Sequence, residues 1–498
     1  MHPTARFGTQ REQHGDHTVA PLLATLGALS LGSYVTIQAL APRGSPFAQN
    51  PRAHLIELLP LWSAVANLPL PKSDGAILPL LLAALAAASV CYILAHHVAV
   101  RAGSDTASVA IAAFCAAGFS IASVLALPNF SSDIYAYIAY ARVASVYHAN
   151  PYVVSPAAFA DDPVAPFVIP GAFHMTTPYG PVWTYLSVAL SFILGSEDVV
   201  RSLIVMRALL FCFSLANLWL IWLILGRLNP HYRLAAVVCY GWNPIVVLKG
   251  IGHTEPVMLF FLLLSVHLHL RANEWGTLTS MVLSAVTKFA TAPLLVVYFW
   301  HIWQRGSLRA FALGTMAAAG LTAIIFLPVW SGWDAFLHLA RDPVNETTAS
   351  LFTARRLVAT PGLVATMVWA AYQAGRSSHD LLKGYTLVLL WFSLFFVPVN
   401  YAWYAIPLIG ATSLIVGTRI AQLSLVFTLS ALAVNVLAEM TEAHLSLPRL
   451  AFQLIWWGPL AAAAVWIFWR QAWTWGQPAM SRAQQVSDTA GTATKTEV

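Results

Sequence analysis

The sequence predicts an all-α polytopic integral membrane protein of about fourteen transmembrane helices, on three observations. Hydrophobic residues make up 58% of its 498 residues and charged ones only 9%, with a mean hydropathy of +0.69, whereas about a quarter of a soluble domain is charged. Apolar runs close to the ~20 residues that cross a bilayer recur along the chain. The links between them are short, polar and several times marked by Arg or Lys, as cytoplasmic loops are.

In chain order, residues 1–18 form a polar tail without the pattern of a cleavable signal peptide, so the run from Val19 to Leu40 stays as an anchor and the tail is cytoplasmic. Residues 41–74 contain HLIELLPLWSAVANLPL, which suits an interfacial helix. Spans follow near 76–100 and 107–127, separated by RAGSDT. Residues 129–183 are then the longest polar interruption in the chain. The next apolar segment, 182–194, is only about thirteen residues long, too short to span, and reads as a helix along the membrane surface. Further runs lie near 203–226, 233–250, 254–270, 275–288, 291–303, 308–329, 361–375, 384–399, 402–417, 420–438 and 450–470. With 182–194 left out of the span count, Arg227 with Arg233, Arg305 with Arg309, and Arg376 with Lys383 all fall in the cytoplasm. The same register places the main loop 129–202, residues 249–255, the second loop 331–361 and residues 400–404 together on the extracytoplasmic side. One membrane domain, 19–476, is the economical division, with 477–498 a disordered cytoplasmic tail.

The +6 charge is scattered through loops without a basic stripe, which argues against a nucleic-acid partner. Cys91, Cys115, Cys212 and Cys239 sit in apolar runs without metal-ligand spacing. No metal or other cofactor is expected from any ligand cluster, and no Gly-rich nucleotide loop or Ser-His-Asp elbow is present. The cytoplasmic membrane is the expected location, and membrane lipids are expected partners.

The long interruption carries the first candidate. Asp133 follows Ser131 and Ser132, which suit a helix N-cap, and residues 133–147 contain no Pro or Gly. At ~100° per residue, Asp133, Tyr137, Tyr140 and Tyr147 share one arc while Arg142 points away. An acid on a tyrosine-lined face suits a polyol; an acid in a first turn also simply complements the helix dipole. Asn150-Pro151-Tyr152 ends the segment, and Thr177-Pro178-Tyr179-Gly180-Pro181 closes it. Farther on, Trp242-Asn243-Pro244 precedes Lys249, Gly252-His253 and Glu255 between two spans, where charges seldom lack a partner or a role. Lys288 is a lone cation in an apolar hairpin, a placement that favours a cavity or an anion. Arg355 and Arg356 are neighbours whose side chains diverge on a helix, so at most one serves a shared site; either a phosphate contact or snorkelling to headgroups accounts for them. Trp403 and Tyr404 follow Pro398 and precede Pro407, at a break where an aromatic belt also occurs.

In this order the motifs resemble GT-C-type glycosyltransferases, in particular the bacterial mannosyltransferases that use polyprenyl-phosphate-mannose. They cover about residues 127–408. The resemblance implies a GT-C-like fold and an inverting transfer of a hexose, most often mannose, from a polyprenyl-phosphate sugar donor to a glycolipid or glycan acceptor outside the cytoplasmic membrane. It further implies Asp133 as general base; on that reading Lys288, His253 and one of Arg355 or Arg356 are the candidates for the donor phosphate, and Tyr137, Tyr140, Tyr179, Glu255, Trp403 and Tyr404 for substrate contacts. Glu255 stands where the family more often has Asp, and Ala402 where it often has Pro. The rival is a secondary transporter or lipid flippase, whose matching broken halves this sequence lacks.

Overall fold

The computed structural model describes residues 18–40, 74–126, 131–194, 198–305, 308–333, 349–397, 401–444 and 449–476. The expected interfacial helix in 41–74, the two tails and residues 334–348 of the second loop lie outside them. Every element among the described residues is an α-helix or a short 3-10 turn.

Among the described residues, seven helices are long and apolar enough to cross a membrane: Val19–Leu40, Ala76–Ala102, Thr106–Leu125, Val199–Leu228, Phe311–Val329, Leu357–Ala374 and Arg419–Ala438. Counting one bent pair as a single span raises this to eight. Glu255–His269, Pro181–Leu194 and Ala451–Ile467 are shorter apolar helices. Large apolar side chains such as Phe114, Ile193, Met316 and Ile324 face outward, a surface that only lipid covers without penalty. The protein is membrane-integral.

The bent pair corrects the single run expected over 233–250. Segments Pro230–Gly241 and Pro244–Gly252 meet at 45°. Pro244 disfavours helical backbone at Asn243, whose side chain instead accepts the Ile245 N–H at 3.0 Å and donates to the Tyr92 hydroxyl at 3.2 Å. The Trp242 indole donates to the Ala112 carbonyl at 2.9 Å. Asn243-Pro244 is therefore a structural hinge buried among helices, and the Lys249–Glu255 segment hangs from it. A second correction concerns the loop expected to end at Pro361. Helix Ala349–Ala374 runs through that proline, because ASLFTARRLVAT offers good helix formers and no breaker before it.

Helix Asp133–Ser145 is held in its own hydrophobic cluster, in which Tyr135, Tyr137, Tyr140 and Ile138 meet Trp183, Leu203, Leu210 and Val257. Its flanks are thus helices Pro181–Leu194 and Val199–Leu228. The helix stops at Ser145, two residues short of expectation. His148 takes left-handed backbone, φ 52°, and the Ala149 N–H returns to the Val143 carbonyl, a C-terminal closure that diverts Tyr147 from the Asp133 face.

Candidate active site

The polar loop folds back on itself through its two Pro-Tyr motifs. The Thr177 N–H donates to the Pro151 carbonyl at 2.9 Å, and the Tyr152 hydroxyl donates to the Tyr179 carbonyl at 2.8 Å. Asn150 Nδ2 reaches the Val329 carbonyl at 3.0 Å, tying the clasp to helix Leu308–Phe326 and the turn after it. Gly180 then lies directly on the end of helix Glu274–Thr287: its N–H donates to Thr287 O at 3.2 Å, and a Cβ there would stand 2.0 Å from Val286 O. Only glycine permits this approach, which docks the Tyr179-bearing loop on the helix end that precedes Lys288. Gly180→Ala is expected to lower stability by about 1–3 kcal/mol and to reduce the turnover of the protein that still folds. Thermal unfolding in detergent, paired with activity per folded molecule, checks it; an alanine carried without change in either would rule out this docking.

On this clasp the Tyr179 hydroxyl points at Asp133 Oδ2 at 3.5 Å. The carboxylate is 26% exposed and lies 3.9 Å from His253 Nε2. The Asp133 N–H donates to Ser131 Oγ at 3.2 Å, whereas Ser132, the N-cap residue by backbone position, makes no side-chain cap bond. Enclosure pushes the Asp133 carboxyl above its ordinary range, against the pull of Lys288 and Lys249 and of the nearby Ser131 and Tyr179 hydroxyls. Of the tyrosine arc, Tyr137 packs edge-on against Tyr179 and Trp183 at 4.7 and 5.0 Å between ring centres, and the Tyr140 hydroxyl donates to Ala172 O at 2.9 Å. Both are buried and form the wall behind Tyr179. Tyr147 leaves the arc altogether: it stacks on Phe159 at 3.8 Å and donates to Asp162, which also holds Arg142 at 2.8 Å.

His253, Glu255 and Lys249 come from the segment after the hinge and are at most 1% exposed. His253 Nδ1 meets the Lys249 carbonyl at 2.7 Å and its Nε2 meets Ser131 Oγ at 3.0 Å. Trp403 stacks on the imidazole at 4.1 Å and 17°, with the Lys249 ammonium 5.6 Å from the indole centre. Lys288 forms an ion pair with Glu255 Oε1 and sits 3.9 Å above the Tyr404 ring. Glu255 Oε2, by contrast, is buried without a hydrogen-bond partner. The short turn Ala402–Ala405 thus brings Trp403 and Tyr404 onto the two cationic segments.

The structure therefore gathers Asp133, Tyr179, His253, Glu255, Lys288, Trp403 and Tyr404 into one cluster, with Tyr137 and Tyr140 behind it. Arg355 and Arg356 fall in helix Ala349–Ala374, and their side chains lie outside the described residues. Sequence reasoning missed Ser131 as a bridge, Lys249 as a buried cation, Gly180 as the docking point and Trp183. A glycine between two prolines and a lysine beside a Gly-His pair were the only local signals. Among the described residues no group of three or more His, Cys, Asp and Glu side chains is placed to hold a metal ion. Chemically, the cluster offers a carboxylate that can take a proton, with cations and aromatic rings around it.

A family model described as Alpha-(1->6)-mannopyranosyltransferase, N-terminal domain, matches residues 31–305. The match includes Asp133, Tyr179, His253, Glu255 and Lys288 and ends before the turn that supplies Trp403 and Tyr404. No curated protein and no solved structure matches.

Proposed function

The chain belongs to the alpha-(1->6)-mannopyranosyltransferase family, and from that premise we propose that it transfers mannose from a polyprenyl-phosphate carrier to a glycolipid or glycan, with Asp133 as general base. The observation that carries the reading is the enclosed Asp133 carboxylate, joined to a tyrosine hydroxyl and flanked by the charges of Lys249 and Lys288.

The acceptor hydroxyl oxygen attacks the anomeric carbon and gives its proton to Asp133. The bond from that carbon to the phosphate oxygen breaks, its electron pair leaving with the phosphate. General-base help is worth about 10²–10⁴ in rate, with positioning and charge stabilisation supplying further factors. The leaving phosphate gains one negative charge, which Lys288 and Lys249, the cations whose charge acts on Asp133, would offset. A single displacement inverts configuration, so an alpha product demands a donor whose anomeric bond is beta. The partly exposed edges of Tyr404 and Tyr179 suit sugar and isoprenoid alike, while Trp403 is stacked on His253 and holds the imidazole in place.

The site faces the extracytoplasmic side in this reading, with about fourteen crossings and helix Pro181–Leu194 along the surface. What supports it is the short-loop arginines, which fall opposite the motif-bearing segments when that helix is left out of the count. The fold is read as GT-C-like, as one membrane domain over residues 19–476 in the cytoplasmic membrane.

The test is product analysis with purified protein and a glycan acceptor. Mannose linked through a beta bond to polyprenyl phosphate should release polyprenyl phosphate and form an alpha linkage, while the alpha-linked donor and a nucleotide sugar stay intact. Turnover of the nucleotide sugar in place of the lipid donor would overturn the donor assignment.

A further inference from the structure

We propose that His253 is a positioning residue that sets the basicity of Asp133 by holding the single proton of the Ser131 hydroxyl. Its consequence for turnover rests on Asp133 being the base, whereas the proton placement does not.

His253 Nδ1 lies 2.7 Å from the Lys249 carbonyl oxygen, which can only accept, so Nδ1 carries a proton. A second proton on the ring is opposed by its burial and by the charges of Lys249 and Lys288. Nε2 is therefore a bare lone pair. Trp403, stacked on the ring at 4.1 Å, fixes the plane in which that lone pair points. It faces Ser131 Oγ at 3.0 Å and Asp133 Oδ2 at 3.9 Å. A lone pair repels the carboxylate and accepts from the hydroxyl. Ser131 has one proton to give, and its oxygen is already engaged by the Asp133 N–H at 3.2 Å. The hydroxyl is placed to donate either to the Asp133 carboxylate, where it would lower the carboxyl, or to Nε2 at 3.0 Å, and the bare lone pair takes the proton.

The other groups facing Asp133 do not replace that bond. Tyr179 donates over a long 3.5 Å. Lys288 and Lys249 act through charge, Lys288 being tied to Glu255, and Tyr137 and Tyr140 are wall residues. A carboxylate deprived of a close donor holds its negative charge less well and is the stronger base.

The decisive measurement is a difference-infrared titration of the Asp133 carboxyl band, obtained by subtracting Asp133→Asn, in the full-length protein and its variants. His253→Phe keeps the stack on Trp403 but offers no lone pair; Ser131 should turn to Asp133 and lower its midpoint by about one pH unit, the size of one hydrogen bond to a charged group. The acid limb of kcat/KM should move down with it. Adding Ser131→Ala to His253→Phe should abolish the shift. Ser131→Ala alone, a mild change that does not depend on the His253 variant folding, should leave the midpoint where the wild type has it. A midpoint that rises by about one unit in Ser131→Ala means that the hydroxyl donates to Asp133 already, and overturns the proposal; so does an unmoved band in folded His253→Phe. Should the band shift while the kinetic limb stays, the proton placement stands and the assignment of Asp133 as base falls.

Discussion

Asp133→Asn is expected to lower turnover by about 10² or more while leaving donor affinity close to that of the wild type, the largest kinetic effect among the substitutions considered. Asparagine keeps the size of the side chain and its contact with Tyr179, but it cannot take a proton from the acceptor. Were the acid only a complement to the helix dipole, the change would cost about 0.3–1 kcal/mol of stability and little turnover per folded molecule. Release of polyprenyl phosphate, normalised to folded protein, separates the two. The pH profile gives a second readout with a definite sign. A base works only when deprotonated, and enclosure raises the Asp133 carboxyl above its ordinary value. Activity should therefore fall as pH drops through a midpoint higher than the ~3.9 of a free aspartate. An acid limb at or below that value removes Asp133 from the role, and near-normal turnover of Asp133→Asn does the same.

Much of the membrane architecture was legible because a long apolar run in this composition has few alternatives to a helix. The clustering of charged groups was legible for a related reason: Lys288, Glu255 and His253 interrupt apolar surroundings, where an ionisable group persists only if something meets it. What the period of a helix could not supply was its end. The arc that joined Tyr147 to Asp133 assumed two more helical residues than the chain forms, and Asp162, fifteen positions on, captured the tyrosine together with Arg142. Contacts between distant segments were equally hidden. Ser131 reads as a cap residue in sequence and becomes a bridge only because a segment 122 positions away brings His253 to it. Gly180 reads as turn punctuation, and the backbone of helix Glu274–Thr287 is what makes it irreplaceable. The bend at Trp242-Asn243 was half legible: Pro244 marked a helix end, but nothing in the sequence said that a second helical segment would resume at an angle.

Lys288→Met should have the largest effect on stability. Sequence alone makes Lys288 a lone cation awaiting an anion, and in that case an apolar replacement is tolerated. The structure pairs it with Glu255, which is wholly buried and whose second oxygen has no hydrogen-bond partner. Removing the lysine leaves the carboxylate to be buried as an uncompensated charge or to take up a proton, and breaking such a pair from one side costs about 3–5 kcal/mol. The contact of the ammonium with the Tyr404 ring is lost as well. The unfolding midpoint in detergent should fall by several degrees, before any effect on the donor is considered. Adding Glu255→Gln removes the stranded charge, so the double variant should recover most of the lost stability. This coupling is the signature of a directly interacting pair. The same double variant then isolates the functional question, since it folds without the cation. Donor affinity that stays weak in the restored protein assigns Lys288 to the phosphate, whereas affinity that returns along with stability limits Lys288 to holding helix Glu255–His269 against the hairpin. If Lys288→Met unfolds at the wild-type temperature, the Glu255 carboxylate has another partner and the pair described here does not govern the site.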